Sequence, residues 1–177
     1  MKKSRKFKFI ILWLPISSLC FCFNLLSISI VRAEACSEAK IKSYIEQLDK
    51  TNEWIFTVAA LKQCGDRAVQ VLSKDLQHKN ETSRINAVAA LGSMGTAAGS
   101  AIPTLTVALQ DEDKAVRAMV VSAIGSLGRA AESAVPALSA TLRDPDRTVR
   151  SNAVYAWVEI ATSWQQQAKN FSHLQLE

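Results

Sequence analysis

Four cysteines, two histidines and a run of three acids are the side chains in this sequence whose types and spacing invite chemistry. Cys20 and Cys22 sit in an apolar run near the N-terminus, whereas Cys36 and Cys64 lie beyond it. A leftover pair of cysteines in an oxidising compartment reads as a disulfide. Closing a loop of about 28 residues would stabilise the fold by about 3 kcal/mol in the chain-entropy picture. The competing chemistries are free thiols, or lipidation of Cys36 as a first residue. Against lipidation, the preceding Ala33-Glu34-Ala35 lacks the usual Leu three positions back, and Cys64 would be left unpaired. His78 and His173 stand apart, with no His-Glu pair and no metal-spaced Cys/His cluster. Asp111-Glu112-Asp113 would hold calcium only within a shaped loop supplying 6–8 oxygens. Its plainer reading is a helix N-terminus, where acids cap free N–H groups and oppose the dipole. The glycine-rich stretch GSMGTAAGS, 92–100, lacks the lysine and the preceding strand of a phosphate loop. No catalytic residue, metal ligand or cofactor-binding residue is assigned, and the chain is expected to be neither an enzyme nor a cofactor carrier.

Compartment follows from the N-terminus. MKKSRKFK is basic, Phe9–Val31 is an uncharged apolar run, and Ala33-Glu34-Ala35 supplies small residues. That order reads as a signal peptide over 1–35, cleaved after Ala35 or after Ala33. Because about 20 apolar residues can cross a bilayer, an uncleaved anchor over 9–31 is the alternative. The n-region lysines keep the N-terminus inside by the positive-inside rule, so the remainder is expected to be exported, periplasmic or extracellular. Charge narrows the partner class. Of 21 Lys+Arg and 16 Asp+Glu, six bases and one acid fall in 1–35, leaving 15 of each beyond it. With no basic excess there is no electrostatic footprint for nucleic acid.

The elements that must position these side chains repeat every 33 residues. Segments starting at Ala68, Ala101 and Ala134 share one pattern: leucines four apart, then a polar turn, then a second apolar helix. The leucine pairs are Leu72 and Leu76, Leu105 and Leu109, Leu138 and Leu142. The second helices carry Arg84, Arg117 and Arg150, then Leu91, Ile124 and Trp157. Gly92 and Gly125 fall inside the helix pattern, where glycine costs about 1 kcal/mol against alanine, so close helix approach is the expected compensation. Gly95 and Gly128 read as stops. Pro103 and Pro136 mark a start or a kink in the first helix. A shorter pair precedes these units: Ile41, Tyr44, Ile45 and Leu48 form one amphipathic face, and Trp54–Gln63 a second helix ended by Gly65. The expected architecture is therefore all-α: an α-solenoid over 36–168 of about four units, near 37–65, 66–100, 101–133 and 134–168, then a polar, fraying tail over 169–177. The last helix is expected to run to about Gln167, with Trp164 covering the exposed end of the stack.

The period, the AIPTL and AVPAL openings, the DEDKAVR and DPDRTVR turns and the closing ALGSMG and AIGSLG resemble HEAT repeats, more narrowly the short HEAT-like repeats of phycobilisome lyases. The resemblance spans about Ala39–Gln167 and implies fold more strongly than function. It also implies an arginine ladder, with Arg84, Arg117 and Arg150 bonded to Asp111, Asp144 and nearby turn residues. A row of arginines gripping an acidic partner is the functional alternative. Relatives of this kind include bilin lyases and a His-Glu iron hydroxylase. The hydroxylase ligand pairs are missing here, and lyase positions cannot be mapped onto the sequence.

In helical solenoids the second helices line the concave face. One outward row on them runs Phe56, Asn86, Met119, Asn152, and another Ala59, Ala89, Ser122, Tyr155. Nearly uncharged, with apolar residues at Phe56, Met119 and Tyr155, they are the candidate partner-binding surface. The alternative places Phe56 and Tyr155 between helices as core. The expectation is an exported, non-catalytic scaffold holding a protein or peptide. An accessory or chromophore-lyase-like subunit of an enzyme complex is the other reading.

Overall fold

A computed structural model describes residues 36–48 and 54–174, with side chains through Lys169. Residues 1–35, read above as a signal peptide or an anchor over 9–31, lie outside the described residues, as do 49–53 and 175–177.

Helix α1 (Glu38–Leu48) buries Ile41, Ile45 and Leu48, the i, i+4, i+7 stripe of its sequence. Helix α2 (Trp54–Cys64) buries Thr57, Val58 and Leu61. Gly65, at φ 53°, reverses the chain straight into α3 (Asp66–Asp75), a left-handed backbone that favours glycine. Helix α4 (Glu81–Met94) starts where the Asn80 side chain accepts from the Ser83 N–H at 3.1 Å. Helices α6 (Lys114–Ser126) and α8 (Arg147–Leu174) start on aspartate. Asp113 accepts from the Ala115 and Val116 N–H groups, and Asp146 from those of Thr148 and Val149. Of the acid run at 111–113, Asp113 is thus the residue that starts a helix.

In the last two units the first helix is shorter than a simple helix pair suggests. The segments Gly95–Ala101 and Gly128–Ala134 are 3-10 turns, each opened by a glycine at positive φ. Only then do α5 (Ile102–Ala108) and α7 (Val135–Thr141) begin, with Pro103 and Pro136 in their first turns. There a missing N–H is harmless, and the fixed φ suits helix initiation.

One core runs through all units, with Leu72, Leu91, Leu105, Ile124 and Leu138 fully buried along it. The second helices stack closely. A Cβ built on Gly92 would lie 3.1 Å from Ala123 Cα, and one on Gly125 would lie 2.9 Å from Ala156 Cα. These glycines accept a helix-propensity penalty of about 1 kcal/mol to let backbones approach. The last unit differs. Val158 and Ala161 stand where the preceding unit has Gly125 and Gly128. With no glycine stop, α8 continues to Leu174, past the expected end near Gln167 and into the tail. Trp164 does not lie over the end of the stack. It borders a depression with Arg129 and Glu132 of the second 3-10 segment.

Candidate functional site

The side chains singled out by sequence fall into three places. The first is the seam between successive units. Arg84 Nη2 donates to Asp111 Oδ1 at 2.9 Å, and Arg117 grips both oxygens of Asp144, from Nε at 2.8 Å and from Nη2 at 3.1 Å. Each arginine also holds its own turn. Nη1 of Arg84 donates to the carbonyls of His78 and Lys79, that of Arg117 to Asp111 and Glu112, and that of Arg150 to Asp144 and Pro145. So each arginine takes a backbone carbonyl six residues back, and Arg84 and Arg117 also take a carboxylate 27 residues on. The aspartates do double duty, because Asp111 Oδ1 and Asp144 Oδ1 accept from the N–H groups of Asp113 and Asp146. The hydrogen bond from Arg117 holds the Asp144 carboxyl below its ordinary range, and the bonds to aspartate hold Arg84 and Arg117 above theirs. In the second unit His78 Nδ1 accepts from the Asn80 N–H at 3.0 Å and takes the turn-forming part of the aspartate. No acid is needed there, since the arginine position of the first unit is occupied by Trp54.

The second place is the surface of the second helices. Met119, Ser122 and Asn152 come together in a depression of about 310 Å³ between α6 and α8, rimmed by Lys114 and Asp146. The Asn152 amide nitrogen donates to Ala118 O at 3.1 Å and Ser122 Oγ at 3.2 Å, so it stitches α8 to α6. Lys114 Nζ lies 3.7 Å from Asp146 Oδ2, an exposed pair across the same seam. Asn86 belongs to a separate, more polar depression with Asp75, His78 and Asn80, where burial pushes the Asp75 carboxyl up. Phe56 and Tyr155 are 76% and 71% exposed, so they are surface rather than core. They do not join the Met119 depression. Reading rows along the helices missed Lys114, Asp146 and Ala118, because α6 and α8 are offset where they pack and the pairing crosses a seam.

The third place is the N-terminal end of the repeat domain, where the Cys36 and Cys64 sulfurs are bonded and their Cα atoms lie 5.3 Å apart. This links the start of α1 to the end of α2. Among the described residues, no group of three or more His, Cys, Asp or Glu side chains is arranged to hold a metal.

Stacked helix pairs, glycine-relieved contacts and a repeating arginine seam define an α-solenoid. A profile of HEAT repeats matches residues 69–158, half of the chain. The chain belongs to the HEAT-repeat family. No curated protein matches it. Among solved structures, it is similar to an engineered protein from a structural genomics consortium, at 19% identity and a TM-score of 0.49, over 71% of this chain and 64% of that one. It is also similar to a designed armadillo repeat protein in complex with a (KR)4 peptide, at 19% identity and a TM-score of 0.50, over 69% of this chain and 64% of that one. The chain therefore spans less than two thirds of either structure's length.

Proposed function

We propose that this protein is an exported, non-catalytic scaffold that holds a segment of another protein against its second helices, centred on Met119, Ser122 and Asn152. The observation that carries this reading is the depression between α6 and α8. It combines an adaptable thioether, a hydroxyl and an amide with an ion pair at its rim. Such a surface suits a polypeptide, which offers backbone hydrogen bonds alternating with apolar side chains. Among the described residues no donor reaches the Asn152 side-chain Oδ1, which is available to a backbone N–H. The solenoid likeness supports the same direction, since the designed armadillo protein is in complex with a peptide.

Export is part of the proposal. The basic, apolar and small-residue order of 1–35 and the Cys36–Cys64 bond both suit an oxidising compartment. N-terminal sequencing of the cell-derived protein tests it: a start at Glu34 or Cys36 is expected, and an intact Met1 in the cytosolic fraction refutes it. The binding surface is tested by affinity capture from the native envelope with wild type and with Ala115→Glu plus Ser122→Glu. Both positions are exposed and line the depression. Partners recovered by wild type should fall about ten-fold with the variant, at unchanged helicity. Equal recovery rejects this surface.

A further inference from the structure

The 33-residue repeat lets each position of the last unit be compared with its counterpart one unit earlier, where the next unit covers it. Leu142 is 41% exposed against 4% for Leu109, and Val154 is 55% exposed against 0% for Val121. Val158, also largely exposed, replaces Gly125, which is buried against Ala156. Together Leu142, Val154 and Val158 form an apolar end face that continues the interface running through the stack. Arg150 borders it. Arg84 and Arg117 each hold a carboxylate of the following unit, whereas among the described residues Arg150 donates to the carbonyls of Asp144 and Pro145 and to no carboxylate.

Four candidates to cover this face can be eliminated. Glu177 stands 33 residues after Asp144 in sequence, yet α8 is continuous to Leu174. At about 1.5 Å per residue, Leu174 is about 36 Å along the helix from Arg150. Glu177, three residues on from Leu174, lies within only about 10 Å of it. Trp164 is engaged beside Arg129 and Glu132. A second copy packed antiparallel about a two-fold axis would match this flank of α8 with itself. That flank reads Val154, Val158, Ala161, Gln165, with no acid in it. The other acids of the unit are placed elsewhere: Asp144 is held by Arg117, Asp146 caps α8, and Glu159 lies against Gly125. A fifth repeat at the same spacing is also excluded, because Val158 fills the space that glycine leaves open at the inner seams.

We infer that the C-terminal end face is a second docking site, which takes an amphipathic helix of a partner protein carrying an Asp or Glu. The partner's apolar side chains cover Leu142, Val154 and Val158, and its carboxylate completes the unfilled rung at Arg150. Because Val158 sets the partner back from α8, it packs at an ordinary interhelical distance of about 8–10 Å rather than in the glycine-relieved contact of the inner seams. This site is separate from the depression at Met119 and does not depend on it.

The test is photocrosslinking of the full-length protein in its own cells, with a benzophenone amino acid at position 158 and a control at Gln110. The expected adduct joins position 158 to a partner segment of helical periodicity bearing a carboxylate. It should fall about ten-fold in Arg150→Gln and return when Arg150→Glu is combined with an arginine in place of the partner's acid. Since Arg150 also ties its own turn, Val154→Asp provides a second variant that leaves the monomer's melting temperature unchanged and abolishes the adduct. The variant Ala115→Glu plus Ser122→Glu should leave the adduct intact. No adduct at 158, an adduct to lipid, to a second copy or to residues 1–35, or an adduct indifferent to both Arg150→Gln and Val154→Asp, overturns the proposal.

Discussion

The arginine seam makes a quantitative prediction, because Arg117 and Arg150 hold their own turns alike and differ in the carboxylate across the seam. Arg117 donates twice to Asp144 and twice to turn carbonyls, with the paired side chains 13% and 9% exposed. Arg150 makes the same two carbonyl contacts and, among the described residues, meets no carboxylate. Arg117→Gln leaves Asp144 charged and nearly buried, with only the Asp146 N–H against it. Removing one partner of a buried pair costs about 3–5 kcal/mol, and the residual exposure argues for the lower end. Arg150→Gln loses hydrogen bonds at a more open site, worth about 1 kcal/mol. For a domain of this size, with a urea dependence of about 2 kcal/mol per molar, these translate to midpoint shifts of about 1.5 M and about 0.5 M. Far-UV circular dichroism during urea unfolding reads both. A cycle adding Asp144→Asn should recover a coupling of about 2 kcal/mol, within the range seen for residues sharing a network. Equal losses for Arg117→Gln and Arg150→Gln, or a coupling below about 0.5 kcal/mol, would refute the view that the carboxylate across the seam is what distinguishes the inner arginines.

Three further outcomes follow from the same packing. Gly125→Ala should destabilise by about 1–2 kcal/mol, because overpacking against Ala156 outweighs the propensity gain, whereas Gly92→Ala, with a 3.1 Å contact to Ala123, should stay within about 0.5 kcal/mol of wild type; thermal melts compare them. The Asp144 carboxyl, held below its ordinary value by Arg117, contributes stability that is complete above its unfolded value near pH 4 and is lost as pH falls through its lowered folded value. Asp144→Asn should therefore flatten the loss of stability below about pH 4, and an unchanged acid limb would count against it. Cys36→Ser should cost about 3 kcal/mol under oxidising conditions and nothing in reductant, by closure of a 28-residue separation; intact mass with and without reductant establishes which cysteines are bonded.

Much of this architecture is legible in the sequence because it is local. A 3.6-residue apolar stripe, a glycine that alone tolerates positive φ and a proline restricted to a first helical turn act within a few residues. Their recurrence every 33 residues marked the units from Ala68 onward. Gly92 and Gly125 also announced close contacts, since nothing local justifies glycine in mid-helix. What lay beyond the sequence is whatever crosses a seam. Arg117 could be paired on paper with Asp111, six residues earlier, but the turn offers it that residue's carbonyl, and the carboxylate comes from Asp144 in the next unit. Met119, Ser122 and Asn152 converge while Asn86 and Tyr155 stand apart, because the offset between neighbouring helices, not the row position, sets which side chains meet. The uncovered end of α8 is a tertiary fact for the same reason. Val154 and Leu142 are as apolar as their inner counterparts, yet among the described residues no further helix pair packs over them. Periodicity wrote the repeat, but the stack decided which of its faces are satisfied and which remain open.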